Sequence, residues 1–344
     1  MARLKEEEFK QQIKSGNFAG AYLIYGEETY LKELYVKKIK EKIIDPTFED
    51  FNFHEYENRN ASILDILQDA DMMPMMSQRS MVLVHDFPFD TESDVKHLLE
   101  YLEDVSDTCV LVFKYDSIQV DTKNQKKWAK IEKAFAKAGH SVNLEKKSES
   151  ELARTVVAYA KKRDCIIDTA TARYLISVVG SDIKTIFNEL EKLCSFSKTG
   201  TITGQDIDSV AVKSLQARVY DLSKFITRGD SDNAYAVLNT LFEMKESPLL
   251  ILSVISSCFV DMYRAKCANA ANVKPNDLNR YFNYKGREFV ITNAVRDCRN
   301  VSVDNLRRSL DVLADTDEKM KSTAISEKLL LEETIAKLLA LRTM

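Results

Sequence analysis

The sequence is poor in glycine and proline, with 9 and 5 of these residues in a chain of 344. Both residues mark turns, and an all-β fold needs turns at short, regular intervals. Their scarcity therefore disfavours an all-β fold and favours long helices. The chain is about twice as long as a usual domain, so we expect two or three domains.

The chain also lacks the excess of basic residues that is usual in proteins that grip nucleic acid through phosphate contacts of their own. Lys and Arg number 49 against 53 for Asp and Glu, which gives a formal net charge of −4. Any contact with DNA must therefore use a local basic patch or be shared with partner subunits.

Signs of a disulfide framework, a metal site or a membrane segment are missing as well. The six cysteines form no CxxC pair, and the four histidines lack the spacing of metal ligands. The charged N-terminus has no apolar core of the kind found in signal peptides, and no run of about 18 apolar residues predicts a membrane span. We therefore expect a cytoplasmic protein with reduced cysteines and no metal or other cofactor.

The first part of the chain alternates short apolar runs with stretches rich in helix-forming residues. The apolar runs, which we predict to be strands, are Ala21–Tyr25, Phe51–Tyr56, Met81–His85, Cys109–Phe113 and Val142–Leu144. The predicted helices between them are Glu28–Ile44, Ser62–Met72, Glu92–Glu103 and Asn124–Ala138. Thr122 followed by Gln125 has the spacing of a capping box before the last of these helices. This alternation predicts an α/β domain over residues 1–145, with a parallel sheet covered on both faces.

Beyond a polar break at Lys146–Ser150, the apolar residues recur at helical spacing to the end of the chain. Ser148 and Glu151 have the spacing of a second capping box. We predict two all-α domains here, a small one over residues 146–211 and a larger one over 212–344. The apolar stripes of the larger domain are wide, so it can be either a monomeric helical bundle or a platform that packs against other subunits.

The turn after the first predicted strand decides whether an α/β domain of this kind holds a nucleotide. A phosphate loop needs glycines that let backbone N–H groups approach phosphate, a lysine for charge and a Ser or Thr for magnesium. Of these we find only Gly26, whereas Glu27 and Glu28 put negative charge where a triphosphate would lie. These acids suit the positive end of the helix that starts near Thr29. We expect a degenerate phosphate loop that binds no ATP.

The carboxylates do not form a predicted catalytic site. Asp86 follows the third strand, where a nucleotide hydrolase would need a second acid beside it. Asp69 and Asp71, like Asp315 and Asp317, stand two residues apart within predicted helices and so point in different directions. No catalytic residue is expected.

Methionines are concentrated before the third predicted strand, where four of the chain's ten lie within five residues. Pro74 ends the preceding helix, because the residue before a proline is pushed out of the α region. Met73, Met75 and Met76 can then pack beneath the third strand or, since methionine is soft and adaptable, fill the groove of a partner. The sequence leaves both interpretations open.

A second group of residues combines basic and aromatic side chains. Arg280, Lys285 and Arg287 are interleaved with Tyr281, Phe282, Tyr284 and Phe289. Such a combination suits stacking on the bases of nucleic acid, but aromatic residues at this spacing also form cores. We keep Arg280, Lys285 and Arg287 as candidate DNA contacts.

Five stretches follow one another along nearly the whole chain in an order that is more specific than any one of them. They are Gly20–Leu31, Met73–Val82, Gly180–Leu193, Gly229–Leu252 and Ala314–Leu329. Taken together they resemble the delta subunits of the bacterial DNA polymerase III clamp loader.

This resemblance implies an AAA+-type first domain without ATPase activity, a helical lid and a helical collar. The collar would join the gamma or tau and delta prime subunits in a ring of five. The family's contact with the beta sliding clamp maps onto Met73, Met75 and Met76, where methionines replace the Leu-Phe or Phe pair often found. The protein would then be a non-catalytic subunit of a DNA polymerase holoenzyme that opens the clamp for loading onto primer-template DNA.

Two other functions remain open at this point. The first is an ATP-hydrolysing AAA+ clamp-loader-type ATPase of the same fold, which a nucleotide titration would identify. The second is a helical scaffold protein unrelated to replication, which would fail to co-purify with a ring-shaped clamp.

Overall fold

The computed structural model describes residues 3–57, 60, 62–197, 199–282, 284 and 288–343. The chain divides into two compact units, residues 1–146 and residues 147–344.

The first unit contains a five-stranded parallel sheet with helices between successive strands. The strands are β1 (Ala21–Tyr25), β2 (Phe53–Glu57), β3 (Ser80–His85), β4 (Cys109–Lys114) and β5 (His140–Asn143). The helices are α1 (Glu6–Ser15), α2 (Thr29–Ile43), α3 (Glu49–Asn52), α4 (Ile63–Asp71), α5 (Glu92–Tyr101) and α6 (Lys126–Ala138). The strand order is β2-β3-β4-β1-β5, and every neighbouring pair is parallel. The predicted α/β fold of this region is confirmed.

The central strands are buried on both faces, which explains their continuous apolar runs. On one face of β1, Leu23 belongs to a core that includes Trp128 and Phe135 of α6. On the other face, the ring of Tyr22 lies 5.7 Å from the ring of Phe9 in α1. A strand with a helix on each side needs an apolar residue at every position, so its sequence shows no alternation.

The two predicted capping boxes have different outcomes. The box at Ser148 and Glu151 is confirmed at the start of the first helix of the second unit. The box at Thr122 and Gln125 is wrong, because Gln125 makes no side-chain cap and the Thr122 hydroxyl accepts a hydrogen bond from Arg3 at 2.6 Å. The residues have the spacing of a capping box, but the Thr122 hydroxyl bonds to Arg3, which is 119 residues away along the chain.

The second unit is built from helices, which confirms the helical prediction for this half of the chain. They are α7 (Glu149–Lys161), α8 (Thr169–Val179), α9 (Ile183–Phe196), α10 (Gly204–Val210), α11 (Leu215–Arg228), α12 (Ser231–Glu243), α13 (Pro248–Ala270), α14 (Glu288–Asp297), α15 (Val303–Ser322) and α16 (Glu327–Thr343). In the smaller part, Tyr159 of α7 stacks on Phe187 of α9 with ring centroids 4.0 Å apart. The larger part has its own core, which includes Leu222, Ile255 and Leu331.

The predicted boundary at residue 211 falls inside this second unit. The backbone N–H of Val212 donates to the Glu189 carboxylate at 3.1 Å, and that of Ser214 donates to the carbonyl of Val178 at 2.9 Å. These bonds connect the segment after residue 211 with α8 and α9. The division into separate lid and collar domains therefore stays a prediction.

Helix α13 is the one described helix that is long and apolar enough to cross a membrane by length and composition. The sequence showed no continuous apolar run of about 18 residues here, because polar residues interrupt the apolar ones. Leu252, Ile255 and Phe259 on this helix are buried in the core of the second unit. The core helix of a soluble protein passes the same test of length and composition, so this result is weak evidence for a membrane span.

Candidate functional site

Gly26 begins the turn between β1 and α2 in a conformation that only glycine adopts readily. Its φ is 114°, and a Cβ atom would lie 2.4 Å from the carbonyl oxygen of Leu144. The backbone N–H of Glu28 donates to the same carbonyl at 2.9 Å. An N–H group that a phosphate loop would turn toward its ligand is thus bonded to the protein itself.

Lys32 is the residue that the sequence analysis missed in this turn. In the pattern G-x-x-x-x-G-K-[ST], the lysine follows the first glycine by six positions, as Lys32 follows Gly26. The second glycine and the Ser or Thr are replaced by Leu31 and Glu33. The statement that Gly26 alone remains of a phosphate loop was therefore wrong, and the spacing could have revealed it.

The side chain of Lys32 is wholly buried and points back into its own domain. Its amine donates to the carbonyl of Gly26 at 2.8 Å and to that of Tyr115 at 2.6 Å. It also forms an ion pair with the Asp116 carboxylate at 2.7 Å. Three protein oxygens surround the charge that a nucleotide phosphate would need.

Asp116 holds two lysines at the carboxyl end of β4. Its second oxygen lies 2.8 Å from the amine of Lys114. Burial alone would raise the pKa of Asp116, but its bonds to Lys114 and Lys32 outweigh burial and lower that pKa below its ordinary value. The carboxylate is therefore ionised at neutral pH and balances charge on Lys32.

Asp86, at the end of β3, also serves the protein rather than a metal. Its carboxylate accepts hydrogen bonds from the backbone N–H groups of Asp116 at 2.9 Å, Ser117 at 3.0 Å and Ile118 at 3.2 Å. It therefore fixes the loop that carries Asp116. Within the described part of the chain, no group of three or more His, Cys, Asp or Glu side chains could hold a metal ion.

Asp69 and Asp71 have different surroundings. Asp69 is half-buried and accepts from Tyr56, and its carboxylate lies 3.2 Å from His54. Both partners stand on β2, so Asp69 ties the end of α4 to the edge of the sheet. Asp71 is exposed.

The segment Met72–Ser77, which we call the methionine tip, connects the end of α4 with β3. The exposed fractions of Met73, Met75 and Met76 are 86%, 52% and 77%. The interpretation that they pack beneath the third strand is therefore wrong. The tip therefore presents apolar side chains to solvent.

The tip has a defined backbone. Met76 has a φ of 53°, in the left-handed region that side chains with a Cβ rarely adopt. One residue earlier, the backbone of Met75 is bonded on both sides to the side chain of Asn52, with N–H to Oδ1 at 2.7 Å and Nδ2 to carbonyl at 2.8 Å. The side chains are exposed while the backbone beneath them is held.

The candidate DNA contacts are only partly described. Arg280 is exposed, 3.5 Å from the Asp277 carboxylate, whereas Lys285 and Arg287 lie outside the described residues. Tyr281 and Phe282 are at the surface and line a cleft of about 800 Å³ in the second unit.

A basic residue that the sequence analysis did not single out lies beside these aromatic residues. The Arg264 guanidinium is centred 3.8 Å from the ring centroid of Phe282 and donates to the Tyr284 hydroxyl at 3.0 Å. That hydroxyl donates in turn to Asp261 at 2.5 Å, and Tyr284 is buried. The aromatic cluster is thus divided between the surface and the core.

Models of known protein families match most of the chain. The model described as "DNA polymerase III, delta subunit" matches residues 22–145, and that described as "DNA polymerase III delta subunit, C-terminal domain" matches residues 216–338. A model described as a middle domain matches residues 148–209.

Individual proteins show the same similarity over nearly the full length. The DNA polymerase III subunit delta of Bacillus subtilis strain 168 is 25% identical over 338 residues, or 96% of this chain and 95% of that protein. The solved structure of the Bacillus subtilis DNA clamp loader delta protein superposes with a TM-score of 0.66 at 24% identity. It covers 97% of this chain and 99% of that one, so the two share a fold.

Proposed function

The chain belongs to the DNA polymerase III delta subunit family, and we propose that it binds the beta sliding clamp through the methionine tip and opens it for loading onto primed DNA. The observation that carries this proposal is the exposure of Met73, Met75 and Met76 on a backbone held in one conformation. An isolated chain gains nothing from exposing three neighbouring methionines, whereas a partner groove would bury them.

The expected strength of the contact suits a reversible step. Burying a methionine side chain contributes about 1.5–3 kcal/mol, so three contribute about 5–9 kcal/mol. Association costs of about 4 kcal/mol or more must be subtracted. The tip would hold a clamp firmly enough to act on it and loosely enough to release it after loading.

Opening of the ring needs no chemistry in this chain. A protein that binds an open clamp more tightly than a closed one shifts the clamp toward the open state by that difference in affinity. In this proposal the energy for the cycle comes from ATP bound by sibling gamma or tau subunits, which assemble with delta prime and with residues 212–344 of this chain. Residues 1–145 would contact the clamp, and residues 146–211 would form the lid.

The surroundings of Lys32 support a non-enzymatic role. The lysine that would neutralise a nucleotide phosphate is bonded to Gly26, Tyr115 and Asp116. A triphosphate would have to break these bonds of the buried lysine and overcome the negative charge of Glu27 and Glu28. In this proposal the chain catalyses no reaction itself. It acts in the cytoplasm as a subunit of a polymerase holoenzyme.

Contact with primer-template DNA would depend on the whole assembly rather than on this chain alone. Arg280 is exposed, and Tyr281 beside it presents an aromatic face to solvent. Together with Lys285 and Arg287 these side chains would reach DNA held by the whole assembly, because the chain's net charge of −4 does not favour binding by the isolated protein.

The test of the proposal is a clamp-binding assay on the isolated chain without ATP. The double substitution Met75→Asp, Met76→Asp places two charges in the contact and should abolish capture of the chain by immobilised clamp. Met244→Asp is the matched control, because Met244 is an exposed methionine of the second unit. Unchanged clamp binding by a folded double variant would rule out the tip as the contact.

A further inference from the structure

Asn52 is the last residue of α3, and its side chain is wholly buried although it is an amide. It is 23 residues from Met75 in sequence, yet its Oδ1 accepts from the Met75 N–H at 2.7 Å and its Nδ2 donates to the Met75 carbonyl at 2.8 Å. A second hydrogen of Nδ2 reaches the carbonyl of Phe48 at 3.2 Å. The amide thus bonds both polar groups of one tip residue.

This pair of bonds fixes orientation as well as position. Two reciprocal hydrogen bonds to one residue act as one rung of a β-ladder does, and they leave the peptide planes on either side of Met75 little freedom to rotate. The frame behind Asn52 is firm, because β2 starts at the next residue and its Phe53 pairs with Met81 of β3. The two strands that flank the contact belong to the same sheet.

Burial couples the amide to the conformation of the tip. If the tip left this position, Asn52 would lose partners for buried polar atoms, which is costly unless water replaces them. The held conformation is therefore favoured in the free protein. A partner that recognises it binds more tightly in proportion to the fraction of molecules that already have it.

We infer that Asn52 is the positioning residue of the methionine tip, so that the affinity for the clamp depends on a buried amide lying behind the contact surface. This inference rests on the proposed function and adds the residue that sets the geometry of the contact. Asn52 acts through the backbone of Met75. Met75 carries one of the side chains proposed to contact the clamp, and it directly precedes Met76, which has a positive φ.

The first measurement compares Asn52→Ala with the unsubstituted chain in clamp affinity and in amide hydrogen exchange of residues 72–77. Loss of the two bonds should weaken clamp binding about tenfold, which corresponds to about 1.4 kcal/mol. Exchange of the tip amides should become faster in the free chain. Asn305→Ala is the matched control, because Asn305 is a half-buried asparagine of the second unit whose amide donates to the carbonyl of Leu341 at 3.1 Å; it should leave clamp binding and tip exchange unchanged.

The second measurement uses Asn52→Asp, whose capacity to donate hydrogen bonds changes with pH. An ionised carboxylate accepts from the Met75 N–H but cannot donate to the two carbonyls, whereas a protonated carboxyl can donate to one of them. Relative to the unsubstituted chain at the same pH, the clamp affinity of this variant should be low near pH 7.5 and should recover toward about pH 5.5. Because protonation also relieves the cost of burying a carboxylate on folding, clamp affinity is compared only where circular dichroism shows the variant to be folded at both pH values.

The outcomes distinguish the two ideas. If the unsubstituted chain fails to bind the clamp, the proposed function fails, while the exchange measurement still decides whether Asn52 orders the tip. If the unsubstituted chain binds the clamp and folded Asn52→Ala binds equally well, the inference is overturned. Unchanged tip exchange in Asn52→Ala, or a clamp affinity of Asn52→Asp that does not recover with acid, overturns it as well.

Discussion

The amine of Lys32 lies 2.7 Å from the carboxylate of Asp116, with the lysine side chain 1% exposed. This ion pair, in which the lysine is buried and the carboxylate is 25% exposed, joins the start of α2 to the carboxyl end of β4, where a phosphate loop would place phosphate. Without the lysine, Asp116 would still have Lys114 and solvent, but the two carbonyl groups that accept from the Lys32 amine would lose their donor.

Lys32→Met should therefore lower the free energy of unfolding of the first unit by about 1–3 kcal/mol. The substitution keeps the apolar stem but leaves the carbonyls of Gly26 and Tyr115 without their donor. Urea denaturation followed by circular dichroism measures the change. Lys37→Met on the same helix is the control, since its side chain is 74% exposed and its loss should change stability by less than about 0.5 kcal/mol. Equal stabilities of the two variants would contradict the structural role of Lys32.

The ion pair also predicts how stability responds to acid. The bonds to Lys114 and Lys32 outweigh burial and lower the pKa of Asp116 below its ordinary value of 3.8. Because the folded pKa is below the unfolded one, ionised Asp116 contributes stability above about pH 4, and this contribution is lost as the pH falls through the folded pKa.

Asp116→Asn removes this contribution, so its destabilisation should be large near pH 6 and smaller near pH 3. Urea denaturation at both pH values measures the difference between the variant and the unsubstituted chain. A destabilisation that is the same at both pH values would show that the charge on Asp116 is not what stabilises the fold.

Asp86 should be needed for its oxygen atoms rather than for its charge. Asp86→Ala leaves three backbone N–H groups of residues 116–118 without their acceptor and should cost about 2–3 kcal/mol. Asp86→Asn keeps one oxygen and tolerates the φ of 47° at this position, so it should cost about 1 kcal/mol. Thermal unfolding compares the two variants, and an asparagine variant as unstable as the alanine variant would contradict this view.

Met76→Gly should separate stability from clamp binding. Glycine adopts the φ of 53° without strain, so the free energy of unfolding should stay unchanged or rise by up to about 1 kcal/mol. Loss of the apolar side chain should weaken clamp binding by about tenfold or more, since burying a methionine contributes about 1.5–3 kcal/mol. Surface plasmon resonance with immobilised clamp measures the affinity. A variant that binds as well as the unsubstituted chain would show that Met76 does not enter the contact.

Helix α13 should respond to charge on one face only. Leu252→Asp puts a carboxylate into the core of the second unit and should unfold that unit, whereas Ser253→Asp falls on an exposed position and should be tolerated. Circular dichroism and size-exclusion chromatography without detergent test both. A core helix of a folded unit needs no detergent, so the Ser253 variant and the unsubstituted chain should both stay in solution. Aggregation of both would contradict the assignment of α13 as a core helix.

The sheet was largely predictable because burial on both faces imposes a strong local pattern. The first strand was predicted at Ala21–Tyr25, where it is found. The second was predicted to begin at Phe51, but Phe51 and Asn52 belong to α3 and the strand starts at Phe53. In the sequence, an apolar residue of a short helix directly before a strand cannot be told from the first residue of that strand. Helix α1 lies outside the predicted elements because its charged residues conceal the two buried positions, Phe9 and Ile13.

The candidate site was predictable only in part, for reasons of distance along the chain. The cluster of methionines and the proline within it are local, and they predicted both the end of α4 and an apolar segment. Whether that segment is core or surface depends on what the rest of the fold covers, which no local pattern contains. Asn52 leaves no signal at all, because its partner is backbone 23 residues away.

The exposure of the tip methionines makes this part of the molecule sensitive to oxidants. A thioether that solvent can reach is converted to a sulfoxide, which is polar and chiral, and methionine sulfoxide reductases reverse the change. Peroxide treatment should therefore modify Met73 and Met76 before buried methionines such as Met81 and Met262. An oxidised chain would keep its fold and lose affinity for its partner. Methionine sulfoxide reductases could restore that affinity without synthesis of a new chain.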